Sequence, residues 1–235
     1  MSKTNSDNNQ QQNIDPNKPK KIIKGFVDFA GYGFFSVVNA LRPPYLFMKK
    51  KAVKNLEINL AKGLKFPLNG QGMGELKDLR IGGYDFAHSG CGAVATFNAL
   101  SMAGCAPKMH EVVDFYERKG LTLYGRFGVN PVAVTRFLKT QDLQWKRYTK
   151  EKDWDACIEE GQSAILLYWW ANAKGCAAHY VALEKLPEGI RVYNVYNTRD
   201  KAYDYKDVQT FLTTGSYKKV VAMFVIDTKK DKTTI

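Results

Sequence analysis

From Cys91 to Leu100 the chain carries no charge, and Val94, Phe97 and Leu100 recur at helical spacing. The segment therefore reads as a buried helix that begins near Cys91. Gly104 and Pro107 supply its stop. A polar, glycine-punctuated loop, Tyr84-Asp85-Phe86-Ala87-His88-Ser89-Gly90, delivers the cysteine to the helix start. A cysteine in that place faces unpaired backbone N–H groups and the positive end of the helix dipole. Both favour the thiolate, the nucleophilic form. Against this stands the ordinary role of a free cysteine, which is buried packing. A basic partner decides between the two.

The chain has three histidines, and His179 sits in Cys176-Ala177-Ala178-His179-Tyr180-Val181-Ala182-Leu183, which reads as a β-strand entered through small residues. After the turn Leu186-Pro187-Glu188-Gly189 a second strand runs from Ile190 to Tyr196. Asn194 falls near its middle, where a short polar side chain is poorly suited. Cys91, then His179, then Asn194 is the order and rough spacing of a papain-like nucleophile, base and orienting amide, groups that adjoin in a fold and not in a sequence.

On these residues the chain resembles the papain-like cysteine peptidase superfamily, and within it the compact bacterial peptidases of the bacteriocin-leader-processing type. The resemblance covers about residues 80–226. It rests on Gly90-Cys91-Gly92-Ala93 opening a helix, His179-Tyr180-Val181 beginning a strand, and a polar residue on the next strand. It implies an α+β fold in which the nucleophile-bearing helix packs against an antiparallel sheet. It also implies thiol-dependent hydrolysis of peptide or amide bonds, with no metal or cofactor. Cys91 would attack a carbonyl, His179 would hold and return the proton, and Asn194 would orient the imidazole. Asn197 is the fallback for that last role, although its neighbours Thr198-Arg199-Asp200 suggest a turn.

The match departs at the oxyanion donor. The family places Gln six residues before the nucleophile, and that position here is Asp85. An ionised carboxylate only accepts hydrogen bonds. Either burial keeps Asp85 protonated, or it has a structural role at the helix entrance and the Cys91 N–H serves with Ser89, His88 or Tyr84. Two further functions compete on the same scaffold: an acyltransferase or amidase, and a catalytically inactive binding module, for which Asp85 is the best support. A zinc site from His88-x-x-Cys91 and Cys176-x-x-His179 has the right ligand count but a gap far longer than compact zinc modules use.

The remaining sequence sets the frame. A length of 235 residues with 45% hydrophobic content can fill one sizeable core. Four cysteines without close pairing suggest reduced thiols. The net charge of +12 comes from lysines spread through the N-terminal arm, Lys49-Lys50-Lys51, Lys218-Lys219 and Lys229-Lys230. Without an arginine-rich helix or reader motif, that spread argues against specific nucleic-acid binding. The expected partner is a peptide or protein substrate.

Residues 1–21 read as a disordered polar arm, 22–79 as a partly helical N-terminal extension, 80–228 as the papain-like domain and 229–235 as a basic tail. No secretory signal follows the N-terminus, so a cytoplasmic location is expected. The apolar stretch 22–41, interrupted by Lys24, Asp28 and Asn39, leaves open a membrane-surface association through 22–54, or export.

After the cysteine helix, helices are expected over Met109–Lys119, from Asn130-Pro131 to Thr140, and from Asp153 through Glu160. Strands are expected at Leu143–Tyr148, in the continuous apolar run Ser163–Trp170, around His179 and Asn194, and over Lys219–Ile226. Short gaps imply antiparallel pairing, with a central position for the apolar run. Trp169 and Trp170 point to opposite sides of that strand, so that one belongs to the core and the other is free to line a groove.

Overall fold

A computed structural model describes residues 49–105, 107–172 and 175–228. The expected arm, the stretch 22–48 and the basic tail lie outside the described residues. The first element, helix α1 (Lys49–Leu60), buries Ala52, Asn55 and Asn59. A loop then leads to a two-stranded antiparallel pair, β1 (Arg80–Ile81) and β2 (Tyr84–Asp85). The short helix α2 (Phe86–Ser89) runs through Gly90 into α3 (Cys91–Met102). Two amphipathic helices follow, α4 (Met109–Lys119) and α5 (Pro131–Leu138). Asn130 caps α5 by accepting the Val132 N–H at 2.8 Å, with Pro131 at the first helical position.

The second half is a six-stranded sheet with one short helix. Its strands are β3 (Trp145–Tyr148), β4 (Ser163–Asn172), β5 (Gly175–Leu186), β6 (Gly189–Tyr193), β7 (Tyr203–Tyr205) and β8 (Tyr217–Ile226). Helix α6 (Val208–Thr213) lies between the last two. The spatial order is β3-β8-β4-β5-β6-β7, and every neighbouring pair is antiparallel. Helices first and strands second give an α+β protein.

The apolar run Ser163–Trp170 occupies the middle of the sheet because both of its faces are covered. On one face Ile165, Leu167 and Trp169 join Tyr180, Ala182, Phe224 and the residues of α3. On the other, Leu166 and Tyr168 meet Val181, Leu183, Val192 and Phe211 of α6. Helix α3 is buried on all sides from Cys91 to Leu100. It is therefore placed by its packing against the sheet and α4, and its polar members are satisfied inside the protein. Asn98, for example, donates to Leu68 O at 2.7 Å and accepts from Leu68 N at 2.9 Å.

Leu68, Leu76 and Leu79, from the expected N-terminal extension, sit in the same core cluster as α3. Two expectations differ from the structure. The helix expected over Asp153–Glu160 is only a 3-10 turn, Asp155–Cys157. Asp153 accepts from the Asp155 and Ala156 N–H groups as a cap would, but only Ile158 of this stretch is fully buried. A short helix without an apolar stripe has too little packing to hold it. Finally, β6 ends at Tyr193, so Asn194 lies just beyond the strand and not within it. Among the described residues, no helix is long and apolar enough to cross a membrane.

Candidate active site

The site forms where β6 leaves β5. These strands pair only between Ala182↔Tyr193 and Leu186↔Gly189. Asn194 then turns the chain away with φ +59°, a left-handed conformation that Asn tolerates better than most residues. The β5 edge before Ala182 is left without β6 as a neighbour. The N-terminus of α3 comes against that edge, which brings the main chain of Tyr180, Gly92 and Cys91 itself near the Cys91 sulfur.

Glycines make the approach close. A Cβ on Gly90 would stand 2.6 Å from the buried ring of Phe86, and one on Gly92 would stand 2.7 Å from Val129 Cβ. The sequence around the cysteine is thus glycine-rich because α2, α3 and the 121–129 loop touch there.

Cys91 and His179 line one cavity of about 560 Å³, together with Tyr168, Trp170, Tyr196 and Lys218 among others. Trp169 belongs to the core, so the two tryptophans divide as strand alternation requires. The His179 ring meets Tyr168 edge-on at 5.8 Å, and its Nε2 lies 2.7 Å from the main-chain oxygen of Asn194. A carbonyl can only accept, so in the neutral ring Nε2 carries the proton and Nδ1 is the nitrogen able to take one. Among the described residues no hydrogen bond joins the Cys91 sulfur to the imidazole.

Burial sets the charge states. It pushes the Cys91 thiol above its ordinary value of 9.0, and the backbone hydrogen bonds from Tyr180, Gly92 and Cys91 only partly offset this. It pushes His179 below 6.5, with the bond to Asn194 O opposing. Both shifts favour a neutral thiol and a neutral imidazole at pH 7. The helix-terminus argument for a resting thiolate is outweighed by desolvation.

The other expected residues divide as follows. Asn194 is fully buried, but its side chain turns away from His179 to Gln71 (Nδ2 to Oε1 at 2.8 Å, with Oδ1 accepting the Gln71 N–H at 3.2 Å). Its carbonyl, not its amide, contacts the His179 ring. Asp85 caps α2 by accepting the His88 N–H at 2.9 Å and lies 3.8 Å from the Arg80 guanidinium. It is a helix-entrance residue and lies outside the cavity lining, because its carboxylate is drawn to those donors.

The substitutes named for Asp85 are also engaged. Ser89 Oγ donates to Gly125 O, and His88 donates from Nε2 to Arg126 O at 3.1 Å while stacking on Tyr84. Asn197 holds Ala87 O through Nδ2 at 2.7 Å. Main-chain N–H groups near the sulfur are further candidate donors for an anion at this place. Cys176 and His179 lie three positions apart on β5 and so face opposite sides, which dismantles the four-ligand zinc arrangement.

Sequence reasoning missed Asn69, Gln71 and Lys218. Asn69 Oδ1 accepts the Asn194 N–H at 2.7 Å, and Gln71 Nε2 donates to Phe86 O at 2.8 Å. The signal was the run Asn69-Gly70-Gln71-Gly72, in which amides alternate with glycines that let the loop lie against the 197–199 backbone. Lys218 Nζ donates to Phe211 O at 3.1 Å and Thr214 O at 2.5 Å, closing the end of α6. Its burial lowers it to about 8. A scan of protein-family models and a search of curated proteins return no match for this chain.

Proposed function

We propose that this protein is a thiol hydrolase of papain-like architecture that cleaves peptide or amide bonds through a thioester on Cys91. The observation that carries the reading is the shared cavity: a cysteine at a helix N-terminus and a histidine with its Nε2 tied back to a carbonyl line the same wall. In this scheme a substrate carbonyl enters between them. His179 Nδ1 takes the thiol proton as Sγ bonds to the carbonyl carbon, and the negative charge passes to the substrate oxygen. The main-chain N–H groups of Cys91, Gly92 and Tyr180 supply the local donors for that charge. Collapse breaks the C–N bond, the imidazolium returns its proton to the leaving amine, and water hydrolyses the thioester with His179 again as base. A neutral resting pair is compatible with this, since hydrogen bonds of a catalytic pair often tighten only with substrate bound.

A second reading, a binding module that retains the scaffold without activity, draws on the neutral thiol and the missing sulfur–imidazole bond. A peptidyl acyloxymethyl ketone separates the two. The hydrolase forms an adduct on Cys91 that Cys91→Ser abolishes and His179→Ala slows by about 10²-fold or more. Equal labelling of wild type and His179→Ala, or no labelling of either, would leave the binding module.

A further inference from the structure

Three stretches of chain that are distant in sequence meet at one buried side chain. The first is the loop Asn69–Gln71, the second is Phe86–Ala87 on the approach to the nucleophile, and the third is Asn194, whose carbonyl anchors the base. Gln71 bonds to both of the others. Its Nε2 donates to Phe86 O at 2.8 Å and Ala87 O at 3.3 Å. Its Oε1 accepts from Asn194 Nδ2 at 2.8 Å, and its main-chain N–H donates to Asn194 Oδ1 at 3.2 Å. Both residues are inside, Gln71 3% exposed and Asn194 fully enclosed, so water is not competing for these groups.

The arrangement bears on one atom. Asn194 is held left-handed, with its N–H fixed by Asn69 Oδ1 at 2.7 Å and its side chain fixed by Gln71. The peptide before Asn194 is thereby fixed through its N–H and the residue itself through its side chain, and the left-handed backbone carries that constraint on to Asn194 O, the oxygen that decides which nitrogen of His179 is protonated. The same glutamine grips the carbonyls just upstream of Cys91. We propose that Gln71 is a positioning residue that couples the nucleophile's approach segment to the carbonyl anchor of His179, fixing both the spacing of the pair and the tautomer of the base. The inference rests on the proposed hydrolase reading for its catalytic consequence, while its structural half stands without it.

The natural control is Asn98. It also ties this loop to α3, through two buried hydrogen bonds with Leu68, but touches neither Asn194 nor His179. Gln71→Ala and Asn98→Ala should therefore lose comparable thermal stability. They should part on two other readouts. The imidazole ¹⁵N shifts of His179 report one Nε2–H tautomer in wild type and Asn98→Ala, and a mixture in Gln71→Ala. Inactivation by the acyloxymethyl ketone slows at least tenfold in Gln71→Ala and stays within twofold in Asn98→Ala.

Gln71→Glu keeps an acceptor for Asn194 Nδ2 but loses the donors to Phe86 O and Ala87 O, and it serves if Gln71→Ala does not fold. It should also slow inactivation while leaving more of the single tautomer. Identical tautomer populations and inactivation rates in the Gln71 and Asn98 variants would overturn the assignment. If wild-type inactivation proves independent of His179, the hydrolase reading fails, and the ¹⁵N comparison still decides whether Gln71 sets the imidazole.

Discussion

The imidazole of His179 is held by the main-chain oxygen of Asn194, 2.7 Å from Nε2, while the side chain of Asn194 points the other way into a pair of bonds with Gln71. An orienting amide and an orienting carbonyl do the same thing to a histidine, since either accepts from Nε2–H and leaves Nδ1 bare. They differ in what mutation removes.

Substitution of Asn194 tests that difference. With the carbonyl as anchor, Asn194→Gly retains both the oxygen and a backbone that adopts φ +59° readily, and only the Gln71 link is lost. Asn194→Ala loses the same link and adds left-handed strain of about 1–2 kcal/mol. Adduct formation on Cys91 should therefore be slower in Ala than in Gly by about fivefold or more. Equal, severe loss in both would make the amide itself the essential group.

The pH dependence of alkylation by a small neutral reagent such as iodoacetamide follows from burial. With the thiol above 9.0 and the imidazole below 6.5, the two groups are not expected to form an ion pair before substrate binds. The rate at Cys91 should rise along one titration centred above pH 9, without a shoulder near or below pH 6. Such a shoulder, removed in His179→Ala, would show a resting thiolate–imidazolium pair and reverse the ordering of the two groups.

Much of this architecture is written in local pattern. The apolar run Ser163–Trp170 has the pattern of a central strand covered on both faces, and Asn130-Pro131 that of a helix opening. The cysteine helix was legible from Val94, Phe97 and Leu100. Asn194 was legible as a residue of interest but not in its role. Ile190-Arg191-Val192-Tyr193-Asn194-Val195-Tyr196 alternates like one continuous strand, and nothing in it marks where left-handed backbone breaks the ladder. Gln71 and Asn69 were hidden for a related reason: hydrogen bonds spanning more than a hundred residues leave no trace in spacing. The balance at Cys91 was not legible either, because the helix terminus favours a thiolate while the burial that opposes it is set by distant packing.

Asp85 gives a test of its reassignment. As the cap of α2 it can be replaced by Asn, which accepts the His88 N–H equally well. Asp85→Asn should leave adduct formation unchanged and stability within about 0.5 kcal/mol, whereas Asp85→Ala should cost about 0.5–2 kcal/mol. Loss of adduct formation in a folded Asp85→Asn protein would return this carboxylate to the chemistry.

Gly92 tests the close approach of α3 to the 121–129 loop. An added Cβ would lie 2.7 Å from Val129 Cβ, 2.8 Å from Val129 Cγ2 and 3.5 Å from the Tyr180 ring. Valine is stiff, so the helix start must shift. Gly92→Ala should lower unfolding stability by about 1–3 kcal/mol, as overpacking does. It should also slow adduct formation at Cys91 beyond what the folded fraction accounts for. Urea unfolding and labelling of the same preparation measure both, and an unchanged labelling rate would mean that this wall does not set the sulfur's place.

Glu117 supplies the clearest pH signature of stability, away from the cavity. Its Oε1 accepts from Asn55 Nδ2 of α1 and from Gly82 N of the β1–β2 turn, each at 2.6 Å, joining both to α4. Burial raises it from 4.5 to about 7, outweighing the Asn55 and Gly82 hydrogen bonds and the nearby Lys51, while Asp114 adds to the rise. Between those values the folded protein holds a proton that the unfolded chain has released. Stability is therefore greatest below about pH 4.5 on this account and falls as pH rises to about 7, by at most about 3 kcal/mol. Glu117→Gln keeps an oxygen for both donors and removes the titration. Its unfolding free energy should be flat across that window where the wild type declines, and it should exceed the wild type at pH 8 by about 1–3 kcal/mol. A parallel decline in both proteins would assign the pH dependence to other groups and leave Glu117 as a charged tether for α1.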